Sequence, residues 1–130
     1  MSHPDSFAKP ALISEAVTTL MRHFPAEVQE AYARFRAGNA PSDADVVILA
    51  VIQDHVPDKK TRVSGPAVDE LQLIRDLGFD SVAIAELVFF FEDLFQVQIS
   101  NDEIMRVRSV GDLRLFVREK IAAQMAAKIP

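Results

Sequence analysis

A chain of 130 residues, 49% of them apolar, is sized for one compact domain and is too apolar for a disordered composition. The absence of cysteine excludes disulfides and thiolate metal sites. Net charge is −5, and residues 81–95 hold Glu86, Glu92 and Asp93 with no base, which argues against a nucleic-acid footprint. No charged-then-apolar leader opens the chain and no apolar run reaches membrane-spanning length, so the expectation is a cytoplasmic protein.

Two weakly amphipathic helical stretches come first. Leu12, Ala16, Leu20 and Phe24 recur at four-residue spacing from Ala11 to about Phe24, with Ile13 and Val17 alongside. Pro25 suits a first helical turn, and Val28, Ala31, Tyr32 and Phe35 continue on one face until Gly38-Asn39. Ala40-Pro41 marks a boundary, dividing a helical extension (1–40) from the remainder (41–130). Ser42 and Asp45 have capping-box spacing ahead of Val46–Ile52, a run apolar on every side. Such a helix needs cover all round, and the extension supplies a reason for itself by providing it.

Pro57 ends this helix. Residues 57–75 read as a long loop, a length that requires apolar anchors, here Leu71, Leu73 and Ile74. The next helix is expected from Ser81 to Phe95, with Ile84, Leu87, Val88, Phe91 and Phe95 facing the core. Ser100-Asn101-Asp102-Glu103 forms a capping box for a short helix to about Val107. Ser109 and Asp112 repeat the spacing before a last amphipathic helix carrying Val110, Leu113, Phe116, Val117 and Ile121. No hairpin signal appears, and the fold class is all-α.

The chemistry concentrates at one place. In Asp76-Leu77-Gly78-Phe79-Asp80-Ser81, a glycine that can take positive φ precedes an aspartate suited to cap the helix. Ser81 then stands where chain becomes helix, and an anion on its hydroxyl would gain about 0.3–1 kcal/mol from the helix N-terminus. No general base lies near it in sequence, which a nucleophilic serine requires, so a hydrolase reading lacks its partner. His23 and His55 sit near helix ends and His3 in the terminal stretch, and the acidic residues do not follow calcium-loop spacing. Neither catalytic nor metal-ligating residues are assigned.

This run, followed by Glu86-Leu87-Val88 and Glu92-Asp93-Leu94-Phe95, closely resembles the prosthetic-group site of acyl carrier proteins, without gaps from about Leu73 to Ala122. The resemblance implies a bundle of three longer helices and one short one, here with an N-terminal helical segment added. It implies 4'-phosphopantetheine attached covalently to Ser81, with Asp80 as part of what a phosphopantetheinyl transferase reads. It also implies a monomeric carrier, not an enzyme, that holds acyl thioesters for acyl-loading and acyl-processing enzymes of fatty-acid, polyketide or related lipid synthesis. Helix 81–95 would be the recognition helix, with Val82, Glu86, Phe89 and Asp93 facing a partner that has a basic rim and an apolar centre. Ala83 and Leu94 stand where family members are often acidic, and Phe89-Phe90-Phe91 is unusually bulky, features that favour a dedicated partner. Phe90 and Leu94 could equally meet the N-terminal extension. A peptidyl or aminoacyl carrier and an unmodified carrier-fold interaction module remain alternatives, although Asp80 before the serine favours the acyl branch.

Overall fold

The computed structural model describes residues 17–38 and 41–127. Helical backbone at 17–21 (α1) turns at 22–24 into α2 (Ala26–Gly38), followed by α3 (Pro41–His55), a 3-10 turn (Val68–Glu70), α4 (Ser81–Phe95), α5 (Asn101–Ile104) and α6 (Val110–Ala127). The only strand-like pairing among the described residues is an isolated antiparallel bridge between Gln72 and Ser109. The protein is an all-α bundle of the expected class. The expected residues 11–16 of the first helix lie outside the described residues.

α3 is the central element. Val47, Ile48, Val51 and Ile52 are fully buried and Leu49 and Ala50 pack half-buried against the core, but Val46 at the start of the run is 43% exposed, so the cover expected on every side is incomplete. Its start differs from expectation. The helix includes Pro41, whose fixed φ and missing N–H suit a first helical position, so Ser42 lies inside the helix and not before it. Asp45 does not close a capping box. Its Oδ2 instead pairs with Arg114 of α6 at 3.1 Å and with Arg118 at 3.6 Å. Arg114 also reaches Asp69 at 2.6 Å, so one guanidinium ties α3, the 3-10 turn and α6 together. Its pKa is raised, mainly by the hydrogen bond to Asp45, against the opposing effect of burial. Gly111 lets α6 approach this turn, since an added Cβ would lie 2.9 Å from the Cβ of Asp69.

The N-terminal helices share the same core. Val17, Met21, Phe24, Val28, Ala31, Tyr32 and Phe35 are buried in one cluster with residues of α3, α4 and α6. Phe35 meets Phe95 edge-on at 5.6 Å, and Phe24 meets Phe90 at 6.0 Å. The Tyr32 hydroxyl donates to the Leu94 carbonyl at 2.8 Å, one of the last carbonyls of α4, which no helical N–H can reach. Burial raises the Tyr32 pKa. Phe90 therefore meets the extension, sitting between Phe24 and His55, and Leu94 is fully buried, its carbonyl held by Tyr32. Amides of residues 31–34 should exchange slowly in the isolated protein. Hydrogen exchange at random-coil rates there would mean that the extension is not docked in solution.

The long loop is held differently from the expected way. Leu73 is buried, Leu71 is half-buried and Ile74 is largely exposed, while Val63, Leu77 and Phe79 supply the remaining anchors. Gln53 of α3 fixes the loop's first half, donating to the Thr61 carbonyl and accepting from Val63 N–H, both at 2.8 Å. α5 ends at Ile104, short of Val107, because the chain turns there to bring Arg108–Val110 against Leu71–Leu73. Its capping box is complete, with Ser100 Oγ accepting from Glu103 N–H and Glu103 Oε1 from Ser100 N–H. Lys120 of α6 completes a 2.6 Å ion pair with Glu103. The hydrogen bonds from Lys120 and then Ser100 pull the Glu103 pKa from its ordinary 4.5 to about 2. A depressed carboxyl pKa stabilises the fold fully above 4.5, and that stabilisation is lost as pH falls toward 2. Glu103→Gln should therefore melt below wild type at neutral pH, with the gap closing through that acid window. A gap independent of pH would assign the loss to packing.

Candidate functional site

The segment before α4 is a tight, locally bonded turn. Asp76 Oδ2 accepts from Gln72 N–H at 2.7 Å, Leu77 N–H donates to Gln72 O, Gly78 N–H to Ile74 O and Phe79 N–H to Leu73 O. Leu77 and Phe79 are buried and pin the turn to the core. Gly78 adopts φ 76°, the left-handed region that side-chain-bearing residues disfavour. Asp80 follows in extended conformation as the N-cap, its Oδ1 accepting from Ala83 N–H at 2.8 Å. Its carbonyl takes the first intrahelical bond, from Ile84 N–H.

Ser81 is the first residue of α4 and is exposed. Asp80 serves the N–H of Ala83 and Ile84, which leaves the N–H groups of Ser81 and Val82 without an acceptor among the described residues. A tetrahedral anion on Ser81 would thus meet an open helix N-terminus. The site fits a phosphodiester: the hydroxyl is free, its surroundings are not crowded, and the cap is supplied by its neighbour.

Beside Ser81 opens a groove of about 670 Å³ between α4 and α5, lined mostly by apolar side chains, among them Ile84, Val88, Phe89, Ile104 and Met105. Ser81 and Phe89 share this groove, whereas Val82, Glu86 and Asp93 do not line it. Val82, Glu86, Phe89 and Asp93 are all exposed along one side of α4, and Asp93 borders a separate polar cavity of about 720 Å³ with Glu103 and Lys120. Glu92 is turned to structural use, its Oε2 accepting from Ile99 N–H at 2.9 Å. Met105 is a groove residue that the sequence pattern did not mark, and Ile74, expected to anchor the loop, lines the groove instead. Their signal was an apolar side chain next to a polar one in a segment with no helical stripe to absorb it. Among the described residues no three His, Asp or Glu side chains are grouped to hold a metal.

The family described as "Phosphopantetheine attachment site" matches residues 59–117, spanning the turn, Ser81, α4 and α5. The "Acyl carrier protein" of Caulobacter vibrioides (strain NA1000 / CB15N) is 39% identical over 75 residues, covering 58% of this chain and 91% of that protein. That of Phenylobacterium zucineum (strain HLK1) is 29% identical over 82 residues, or 63% of this chain and 99% of the relative. No solved structure matches. With a relative matched over nearly its whole length and a serine free at a capped helix start, the chain belongs to the acyl carrier protein family, whose prosthetic group is 4'-phosphopantetheine.

Proposed function

We propose that Ser81 is the attachment residue and that the protein carries acyl intermediates for partner enzymes of fatty-acid, polyketide or related lipid synthesis. The observation that carries this reading is the position of Ser81: exposed, first in a capped helix, and at the edge of a mostly apolar groove. When bound, the group supplies a thiol that holds acyl chains as thioesters. The chain's own residues do the rest. Asp80 fixes the helix start and adds a negative charge next to the serine for a phosphopantetheinyl transferase to read. The groove offers apolar cover to a chain held at Ser81, which favours an acyl cargo over a polar aminoacyl one. Val82, Glu86, Phe89 and Asp93 form the docking side of α4 for acyl-loading and acyl-processing enzymes. In this reading residues 41–130 are the carrier unit, residues 1–40 its extension, and the protein works as a cytoplasmic monomer.

Incubation with coenzyme A and a broad-specificity phosphopantetheinyl transferase, followed by intact and fragment mass measurement, tests it. One phosphopantetheine on the peptide containing Ser81 is expected. No gain in mass, or a gain on another peptide, would refute the assignment.

A further inference from the structure

Residues 68–80, the stretch that leads into Ser81, are fastened to distant chain at one place. Within the stretch the bonds are local, from the 3-10 turn to the Asp80 cap. Every hydrogen bond or ion pair among the described residues that ties it to a distant segment ends on residues 108–114. Leu73 N–H donates to Arg108 O and Val110 N–H to Leu71 O, both at 2.9 Å. Arg114 Nη1 donates to Asp69 Oδ1 at 2.6 Å. Gln72, between the two backbone bonds, is also the residue on which the turn closes. Its N–H donates to the Asp76 carboxylate, and its carbonyl accepts from the N–H groups of Asp76 and Leu77. Leu73, Leu77 and Phe79 are buried and hold the turn against the core, but apolar burial has no direction of its own. A displacement of residues 69–73 is therefore passed on to the turn that carries Gly78 and Asp80.

Arg114 supplies the one side chain on the α6 side of these fastenings. Asp45 of α3 holds it from the other side, at 3.1 Å. Gly111 leaves room for Asp69, since an added Cβ would lie 2.9 Å from the Asp69 Cβ and 3.0 Å from its carbonyl oxygen. Arg114 Nε and Asp45 Oδ1 are buried and have no hydrogen-bond partner among the described residues. A pair kept for stability alone would fill those bonds or give way to apolar groups. The guanidinium instead divides its terminal nitrogens between aspartates on two elements and fixes the place of one against the other.

We infer that Arg114 is a positioning residue for the loading of Ser81: through Asp69 it holds the turn before α4 in the place where a phosphopantetheinyl transferase meets it. The inference rests on the carrier reading and adds to it a residue from outside the attachment motif. The serine itself is set by the Asp80 cap at the start of α4. Arg114 should therefore affect recognition of the carrier and not the transfer of the group.

Steady-state transfer from coenzyme A to the full chain by a broad-specificity transferase, with carrier concentration varied, tests this. Asp69→Asn removes the charge at the turn and leaves Asp45 with its partner. Its KM for the carrier should rise about threefold, as for loss of an exposed ion pair, with kcat within about twofold of wild type. The backbone NMR signals of residues 76–79 should shift. Arg114→Gln should raise KM at least as far, and adding Asp69→Asn to it should change nothing more. Gly111→Ala, which favours the helix but crowds Asp69, should raise KM as well. Asp69→Glu, which restores the carboxylate, should recover most of the loss. Arg34→Gln removes an ion pair between α2 and α3 and should leave KM unchanged. An Asp69→Asn KM equal to that of wild type, unmoved signals at residues 76–79, or an equal rise in Arg34→Gln would overturn the inference. Wild type that does not load refutes the carrier reading and the inference with it. Wild type and Asp69→Asn that load with the same KM refute the inference alone.

Discussion

Ser81→Ala is expected to accept no phosphopantetheine while melting with the wild-type protein. The two halves of this result have separate causes. Loading needs a hydroxyl that can become a phosphodiester; Ser81 and Ser100 are both exposed and line the groove, and of the two only Ser100 is held in a helix cap. Stability does not need the Ser81 hydroxyl. The side chain of Ser81 makes no hydrogen bond within the described residues, and the helix cap belongs to Asp80. Alanine is also the better helix former. A surface change free of such features shifts stability by no more than about 0.5 kcal/mol. Intact mass after incubation with coenzyme A and transferase, together with a calorimetric melt, reads both. Continued gain of the group by the alanine variant would place the attachment elsewhere, for example at Ser100 or Ser109. Both of those hydroxyls already accept backbone N–H groups as helix caps.

Phe91→Ala should have the largest effect on stability of any single change in α4. Phe91 has no exposed surface, stacks on Phe95 at 6.1 Å, and lies in the cluster where the extension, α3 and α6 meet. Truncating a buried phenylalanine costs about 3–5 kcal/mol. Against a total of about 5–15 kcal/mol this is a large share. The expected fall in Tm is roughly 10–20 °C for a domain of this size. A Tm within about two degrees of wild type would show that the site collapses around the loss.

α4 was legible to the residue because every local signal agreed. Gly78, the Asp80 cap and the buried stripe from Leu87 to Phe95 all belong to one short stretch of chain, and only Ile84, half-buried at the groove, departs from it. The two capping boxes at Ser100 and Ser109 were legible for the same reason. What local pattern could not announce was pairing between distant segments. The Gln72–Ser109 bridge shortens α5, and nothing near Val107 reveals it. Asp45 has the spacing of a cap, yet its partners lie on α6. Ile74 has the composition of an anchor, but the turn around it is closed by backbone bonds. Leu77 and Phe79 take the buried places, and Ile74 is left at the groove. The groove is a product of two helices packing at a distance, so its far wall, Ile104 to Val107, emerged only with the fold.

The hydrogen bond from Tyr32 to Leu94 spans 62 residues of chain. α2 and α3 are neighbours in sequence and can pair as soon as both have left the ribosome, whereas the faces that meet α4 must wait for it. Until Phe95 has been synthesised, Tyr32 and Phe35 have no ring of α4 to close on, and α3 keeps part of its apolar surface open to water. The extension thus leaves the ribosome before α4 and acquires its aromatic partners late. Closure of these non-local contacts, which is slow because loop entropy must be overcome before the contacts form, becomes the event that completes the core. A chain arrested before α4 would expose apolar surface prone to association, so the helix that begins with the site serine is also the element whose arrival ends that vulnerability.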